Sequence, residues 1–281
     1  MASFKFNFNG VSETEQIKST DNAEINIEWL KSEKIEVADQ VENLETIAKH
    51  AKMFMCGDVE IGHIVTNELQ INNGTDNAVE LAEKEHSDLI TGKYEGGLKI
   101  WECTYDLIEY LEENNICLEN KKVVDLGCGS GILGIYAFQK HASVTFQDYN
   151  KEIIEHVTIP NVILNIEDEE NRKNEIQKCQ FYSGDWQSFN EILAENEKYD
   201  IILTSETIYN LSNYDKLVNF FNQRLTNDGT VYIAAKTYYF GVGGGMRQFE
   251  QALTNSGKFK FEIVWNTTSG IQREIMKITR L

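Results

Sequence analysis

Nothing in this chain constrains its fold more than Val123-Val124-Asp125-Leu126-Gly127-Cys128-Gly129-Ser130-Gly131. An apolar run of strand length ends in a turn with glycine at every second position. The backbone there can approach a ligand that a Cβ would exclude. Such a strand and turn open a unit of parallel sheet, because parallel neighbours need a crossover connection. The following sequence supplies the crossovers. Strands are expected over residues 122–126, 143–147, 180–183, 200–204 and 230–235, and a closing strand pair over 258–265 and 274–280. Helices are expected over 103–115, 130–140, 151–165 with an interruption at Pro160, 188–196, 209–225 and 246–255. The alternation predicts an α/β, doubly wound, Rossmann-like sheet of seven strands, mostly parallel with an antiparallel last strand.

The rest of the chain is read against that expectation. Residues 91–281 hold the α/β domain, and residues 1–90 form an acidic N-terminal extension with 7 Lys/Arg against 18 Asp/Glu. Within the extension, residues 23–47 mix helical and irregular spacing, and residues 74–88 read as a solvated acidic connection. The whole chain of 281 residues carries a formal charge of −19. A surface this acidic repels phosphate backbones, so direct DNA or RNA binding is not expected. It favours a basic protein partner, with solubility alone as the open alternative. No uninterrupted apolar stretch reaches about 18 residues, so no membrane-spanning helix is expected. Met1-Ala2-Ser3-Phe4-Lys5 lacks a basic start and an apolar run, so no secretory signal is expected either, and the place of work is the cytoplasm or nucleus. The five cysteines show no CxxC spacing and the five histidines no HxxxH or HExxH spacing, which argues against a metal site.

Two adenosine cofactors compete for the glycine turn. Gly129-Ser130-Gly131-Ile132-Leu133-Gly134 spells the GxGxxG of dinucleotide sites, a weak match taken alone. Asp125 argues the other way. A pyrophosphate prefers helix N–H groups with no carboxylate beside them. S-adenosylmethionine has no phosphate and carries a positive amino group and a positive sulfonium, which an acid two residues before the first glycine suits. Asp148, at the end of the second strand, is placed to accept from ribose hydroxyls. Gly184-Asp185-Trp186 ends the third strand, with Asp185 suited to the adenine amino group and Trp186 to the purine face or edge.

Several further segments resemble the histidine protein methyltransferase family. They are His86-Ser87-Asp88-Leu89-Ile90-Thr91-Gly92, Tyr94-Glu95-Gly96-Gly97-Leu98-Lys99-Ile100-Trp101-Glu102-Cys103-Thr104, Ser205-Glu206-Thr207-Ile208-Tyr209-Asn210, Tyr239-Phe240-Gly241-Val242-Gly243-Gly244-Gly245 and the opening Phe4-Lys5-Phe6-Asn7-Phe8. The resemblance runs close to full length, with residues 9–80 matching only loosely. It implies a seven-strand S-adenosylmethionine-dependent methyltransferase acting on the remote ring nitrogen of one histidine in a large-subunit ribosomal protein. It also implies that Ile100, Trp101, Glu102, Cys103 and Thr104 form a wall of the cofactor pocket, with Gly127 and Gly129 under the methionine part. Tyr149 and Asn150 would stand beside Asp148, Gly184 beside Asp185 and Trp186, and Ser205 beside the cofactor. Some relatives carry a basic insert after the second helix. Here residues 167–178 are short and mixed, so nuclear targeting by such an insert is not expected.

For chemistry, the residues point to Glu206. Imidazole is largely neutral at pH 7, so the task is to choose which ring nitrogen bears the lone pair. A carboxylate accepting N–H from the near nitrogen frees the remote one. Glu206 stands where the fourth strand reaches the cofactor, with Tyr209 placed to bracket the ring or donate to it. A cofactor-holding or helix-capping Glu206 is the alternative. The glycine run 241–245 reads equally as a flap or as a tight turn. The chain has a single proline, Pro160, and so lacks the Asn/Asp-Pro-Pro-aromatic motif of amide and exocyclic-amine methyltransferases. A lysine methyltransferase of the same fold and a non-catalytic module for a basic ribosomal protein are the rivals. The enzyme is expected to be a monomer.

Overall fold

In a computed structural model of the chain, the described residues are 28–37, 48–49, 51–65, 89–168 and 170–281. The Phe4–Phe8 opening, His86-Ser87-Asp88, the acidic 74–88 stretch and most of 23–47 lie outside them. Among the described residues three short strands come first: β1 (Glu33–Ile35), β2 (Ala51–Cys56) and β3 (Val59–Ile64). Then α1 (Glu102–Glu113), β4 (Lys122–Leu126), α2 (Ile132–Gln139) and β5 (Ser143–Asp148) begin the alternating body. A composite helix α3 follows, built from Lys151–Ile153, a π-helical turn Ile154–Thr158 and Ile159–Leu164. The remainder is α4 (Arg172–Glu175), β6 (Gln180–Ser183), α5 (Trp186–Ile192), β7 (Tyr199–Ser205), α6 (Tyr214–Arg224), β8 (Leu225–Lys236), α7 (Met246–Ser256), β9 (Phe259–Asn266) and β10 (Arg273–Arg280).

The strands order as β1-β6-β5-β4-β7-β8-β10-β9. Neighbours from β6 to β8 are parallel, and β10 runs antiparallel between β8 and β9. The doubly wound sheet is therefore as expected, with one addition. Residues of the acidic extension supply an eighth strand, β1, antiparallel to β6 at the edge. The order in which strands are laid down reverses between β4 and β7, and open α/β sheets bind ligands outside the carboxyl ends of the strands at such a switch point.

Alternation along the strands sorts the core into two layers. Val123, Phe146, Phe181, Ile201 and Leu203 face the layer with Leu107, Ile108, Ile135 and Val162 of α1, α2 and α3. Val124, Leu126, Ile202, Val231 and Ile233 face the layer with Phe189, Leu217, Phe220 and Phe249 of α5, α6 and α7. The β2–β3 hairpin, which the sequence did not reveal, adds Phe54, Val59 and Ile61 to the first layer. It is tied to α3 by Asn161, which accepts from the Ile64 N–H at 2.8 Å, and by Asn165, which accepts from the Gly62 N–H at 2.9 Å.

Two local departures from regular structure shape the ligand edge. Pro160 does not end the helix. Its missing N–H is absorbed by the π-turn just before it. That turn delivers Thr158, whose hydroxyl donates to the Gly129 carbonyl at 2.7 Å and so holds the glycine turn from below. At the other departure the extension crosses the end of β6. The Leu30 carbonyl accepts from Asp185 N–H at 2.9 Å, and the Ser32 N–H donates to Ser188 Oγ at 2.9 Å. Gly184, at φ +97°, makes room for this strap: a Cβ there would lie 2.5 Å from Ser32 Cα. Gly184→Ala is accordingly expected to destabilise the fold by about 1–3 kcal/mol, since strain and overpacking fall on backbone that has no rotamer to change. Denaturant midpoints of the two proteins measure it; an unchanged midpoint would mean that the strap is not seated.

Candidate active site

A cleft opens at the carboxyl ends of β4, β5, β6 and β7. Its floor is the glycine turn. Gly127 and Gly129 have φ of +69° and +50°. Gly129 also passes the facing loop closely, since a Cβ would meet the Gly97 carbonyl oxygen at 3.0 Å.

Two buried acids border that floor. Asp125 accepts the Gly134 N–H at 2.8 Å. Burial pushes its carboxyl up from 3.8 to about 7, with the Gly134 bond opposing and the charge of Asp148 adding. Asp148 accepts from Gly129 N–H at 2.8 Å and Asn150 N–H at 3.1 Å. Burial again dominates and raises it to about 6 in spite of those bonds. A pair of desolvated carboxylates at one cleft favours a cation and opposes a pyrophosphate. Bare backbone on the floor and carboxylates at its edge fit S-adenosylmethionine.

The walls assemble most of the residues picked out by the sequence. Ile100, Trp101, Thr104, Tyr149, Trp186, Ser205, Glu206 and Tyr209 line the cleft with Asp125, Gly127, Gly129 and Asp148. Thr104 donates to Ser205 Oγ at 3.2 Å, joining α1 to the end of β7. The Trp186 indole N–H donates to Gln147 Oε1 at 2.8 Å, while the Gln147 amide donates to the Gly184 carbonyl at 2.8 Å. Gln147, fully buried, thus fixes Trp186 to the strand ends.

Five residues expected at the cofactor do not line this cleft. At the start of α1 successive residues turn about 100°, so Trp101 and Thr104 line the cleft while Cys103 enters the core and Glu102 faces solvent. Burial and the neighbouring Glu206 push the Cys103 thiol well up, which keeps it protonated. Asn150 accepts from Glu95 N–H at 3.2 Å and donates to the Lys93 carbonyl at 2.6 Å, so it holds the loop. Gly184 accommodates the strap. Asp185 caps α5 by accepting from Gln187 and Ser188 N–H, and its other oxygen pairs with Lys216. Asp185 is thus a helix cap paired with a lysine, at the strand end where the sequence expected an acceptor for adenine. Sequence reasoning also left out lining residues, chiefly Glu95, Gly97 and Thr207. Glu95 accepts from the Tyr209 hydroxyl and from Gly92 N–H at 2.8 Å, so Tyr209 is anchored to this loop.

Glu206 occupies the most constrained position. It has φ +60°, a left-handed conformation rare for a residue with a side chain, and is 8% exposed. Its Oε2 accepts the Tyr239 hydroxyl at 2.6 Å. Its Oε1 is buried without a hydrogen bond, and Lys236 Nζ stands 3.7 Å away. The glycine run has two parts: its tip carries exposed Phe240 and Val242, while at its base Gly245 N–H donates to the Tyr214 hydroxyl at 2.8 Å.

Comparison with known proteins shows the family. A family-wide profile described as "Lysine methyltransferase" matches residues 88–241. The chain belongs to this methyltransferase family. It is 45% identical to a histidine protein methyltransferase 1 homolog of Dictyostelium discoideum over 69% of this chain and 61% of that one. With the Bos taurus homolog the identity is 42% over 79% of this chain and 65% of that one. The chain therefore spans 61% and 65% of the length of these relatives. An EEF1A lysine methyltransferase 3 of Mus musculus is 25% identical over 49% of this chain and 55% of that one.

The raised carboxyl of Asp125 has a consequence for stability. A folded-state value near 7 against 3.8 means that ionising Asp125 penalises the folded form. The penalty grows as pH rises from 3.8 to about 7 and is constant above. Asp125→Asn keeps an acceptor for Gly134 and removes the charge. The ligand-free variant is expected to melt a few degrees higher than the parent at pH 8, with the difference fading below about pH 4. Its affinity for S-adenosylmethionine should fall at least about tenfold. Thermal scans and cofactor titration check both; a lower melting point at pH 8 would contradict the burial argument.

Proposed function

We propose that the protein is an S-adenosylmethionine-dependent protein-histidine N-methyltransferase acting on the ring nitrogen remote from the main chain. The observation that carries this reading is Glu206: a strained, buried carboxylate lining the cleft, with one oxygen bonded to Tyr239 and the other beside Lys236 and the Cys103 thiol. The identities of 45% and 42% with histidine protein methyltransferases support it.

S-adenosylmethionine, when bound, supplies a methyl group on a positively charged sulfur, and the positive charge ends on the accepting ring. Asp125 and Asp148 favour binding of the cation. Gly127 and Gly129 give it bare backbone, Trp186 bounds the purine side, and the Thr104–Ser205 pair closes the wall between. Glu206 accepts the N–H of the near ring nitrogen, which leaves the lone pair on the remote one and offsets the charge that develops on the ring. Tyr209 bounds the ring from the side of Glu95. No strong base is needed, because the ring is already largely neutral at pH 7.

The substrate proposed is a basic, large-subunit ribosomal protein, drawn by the acidic surface, with the extension as a contact. The working form is a monomer in the cytoplasm or nucleus. Lysine methylation is the second reading, favoured by the description of the matching profile. The two differ in pH dependence: a lysine must lose its proton, so its rate climbs toward about pH 10, whereas a histidine rate levels off above about pH 7.

Labelled methyl transfer to large-subunit ribosomal proteins, followed by hydrolysis and mass spectrometry, tests the proposal. Methylhistidine with a plateau in rate is expected. Methyllysine with a rate rising into the alkaline range favours the second reading, and no transfer at all favours a binding module. Glu206→Gln is expected to lower kcat by roughly 100-fold with cofactor affinity unchanged. A loss of affinity at unchanged single-turnover rate would make Glu206 a cofactor-holding group.

A further inference from the structure

The donor and acceptor directions around Glu206 are fixed by a residue outside the cleft lining. The Tyr239 hydroxyl accepts the backbone N–H of Lys236 at 3.3 Å. Its own proton is directed to Glu206 Oε2 at 2.6 Å. Glu206 is further pinned by its N–H, which donates to the Ala234 carbonyl at 2.9 Å, and by its left-handed backbone. The Lys236 ammonium is held near Glu102, 3.7 Å away, and over the Trp101 ring, 5.4 Å from its centroid. At 3.7 Å from Oε1 it balances charge without forming a hydrogen bond. Oε1, beside Lys236 and close to the Cys103 thiol, is the oxygen that Tyr239 leaves over.

We infer that Tyr239 is a positioning residue that decides which ring nitrogen receives the methyl group, by forcing Glu206 to present a single acceptor. The inference rests on the histidine reading of the site. With Oε1 fixed, only a ring whose near nitrogen carries the proton can dock with a lone pair free on the remote nitrogen. A carboxylate released from Tyr239 can turn and accept the proton from either ring nitrogen.

The fixed polarity has a second consequence. In Glu206→Gln, the Tyr239 proton must still find an acceptor, so the amide oxygen takes the Oε2 place and the NH₂ takes that of Oε1. The site then offers a donor where the ring needs an acceptor. In Glu206→Gln/Tyr239→Phe the amide is free to reverse, and its oxygen can face the ring. The double variant should therefore be more active than Glu206→Gln alone, although each single change lowers the rate.

The test measures rates and the ratio of the two methylhistidine isomers with large-subunit ribosomal proteins as substrate. Wild type, both single variants and the double variant are compared. Tryptophan fluorescence titration with S-adenosylmethionine and thermal scans report folding and cofactor binding, which are expected to be unchanged in all four. Tyr239→Phe should raise the minor isomer by roughly tenfold, and the double variant should recover roughly tenfold over Glu206→Gln. An unchanged isomer ratio, or a double variant weaker than Glu206→Gln, overturns the inference while the histidine reading stands. Wild-type protein that yields no methylhistidine removes both. Should Tyr239→Phe fail to fold, full activity in Glu206→Gln still overturns it.

Discussion

Two carboxylates, Asp125 and Asp148, sit inside the protein at adjacent strand ends, and their surroundings compensate only part of the free energy needed to ionise them. Asp125 has a single backbone donor, Gly134, and Asp148 has Gly129 and Asn150. Burial outweighs these bonds in both, so the carboxyls rise to about 7 and about 6. Such a site is poorly satisfied until a cation arrives. The ligand-free fold carries that deficit, which its two packed layers must offset.

Much of the surrounding structure serves to hold those strand ends in place. Thr158, delivered by the π-turn before Pro160, secures the Gly129 carbonyl. Gln147 links Trp186 to Gly184, and the strap from the extension closes over Gly184 and Asp185. Lys216 on α6 completes this edge: it pairs with Asp185 and lies 3.4 Å from the centroid of the Trp29 ring. The acidic extension therefore contributes to the ligand edge, at least through residues 29–35. On the opposite side of the cleft, β7, the end of β8 and the residues just after it fix Glu206, so the Asp125 and Glu206 sides are built on neighbouring strands.

The sheet was legible because its strands announce themselves locally, as apolar runs ending in turn residues. Asp125, Asp148 and Glu206 were legible because each stands at the end of such a run. Other features depend on partners far away in sequence. β1 has three residues, too few for a pattern, and exists by pairing with β6. The β2–β3 hairpin was hidden because exposed Met53 and Met55 flank buried Phe54, which erases the alternation. The pairing of Asp185 with Lys216 on α6 spans 31 positions and leaves no mark in either segment. Tyr239 stood in a recognisable motif, yet its bond to Glu206 spans 33 positions and leaves no mark in either segment.

The central claim, that this site is built from desolvated carboxylates to receive a cationic nucleoside, is tested most directly by calorimetric titration of S-adenosylmethionine in two buffers of different ionisation heat. At about pH 6.5 the ligand-free acids are partly protonated, so binding should release protons, and the release should fade above about pH 9. A dinucleotide should give no binding heat. Binding of S-adenosylmethionine with no proton exchange near pH 6.5, or with proton uptake, would contradict the account, as would competition by a dinucleotide.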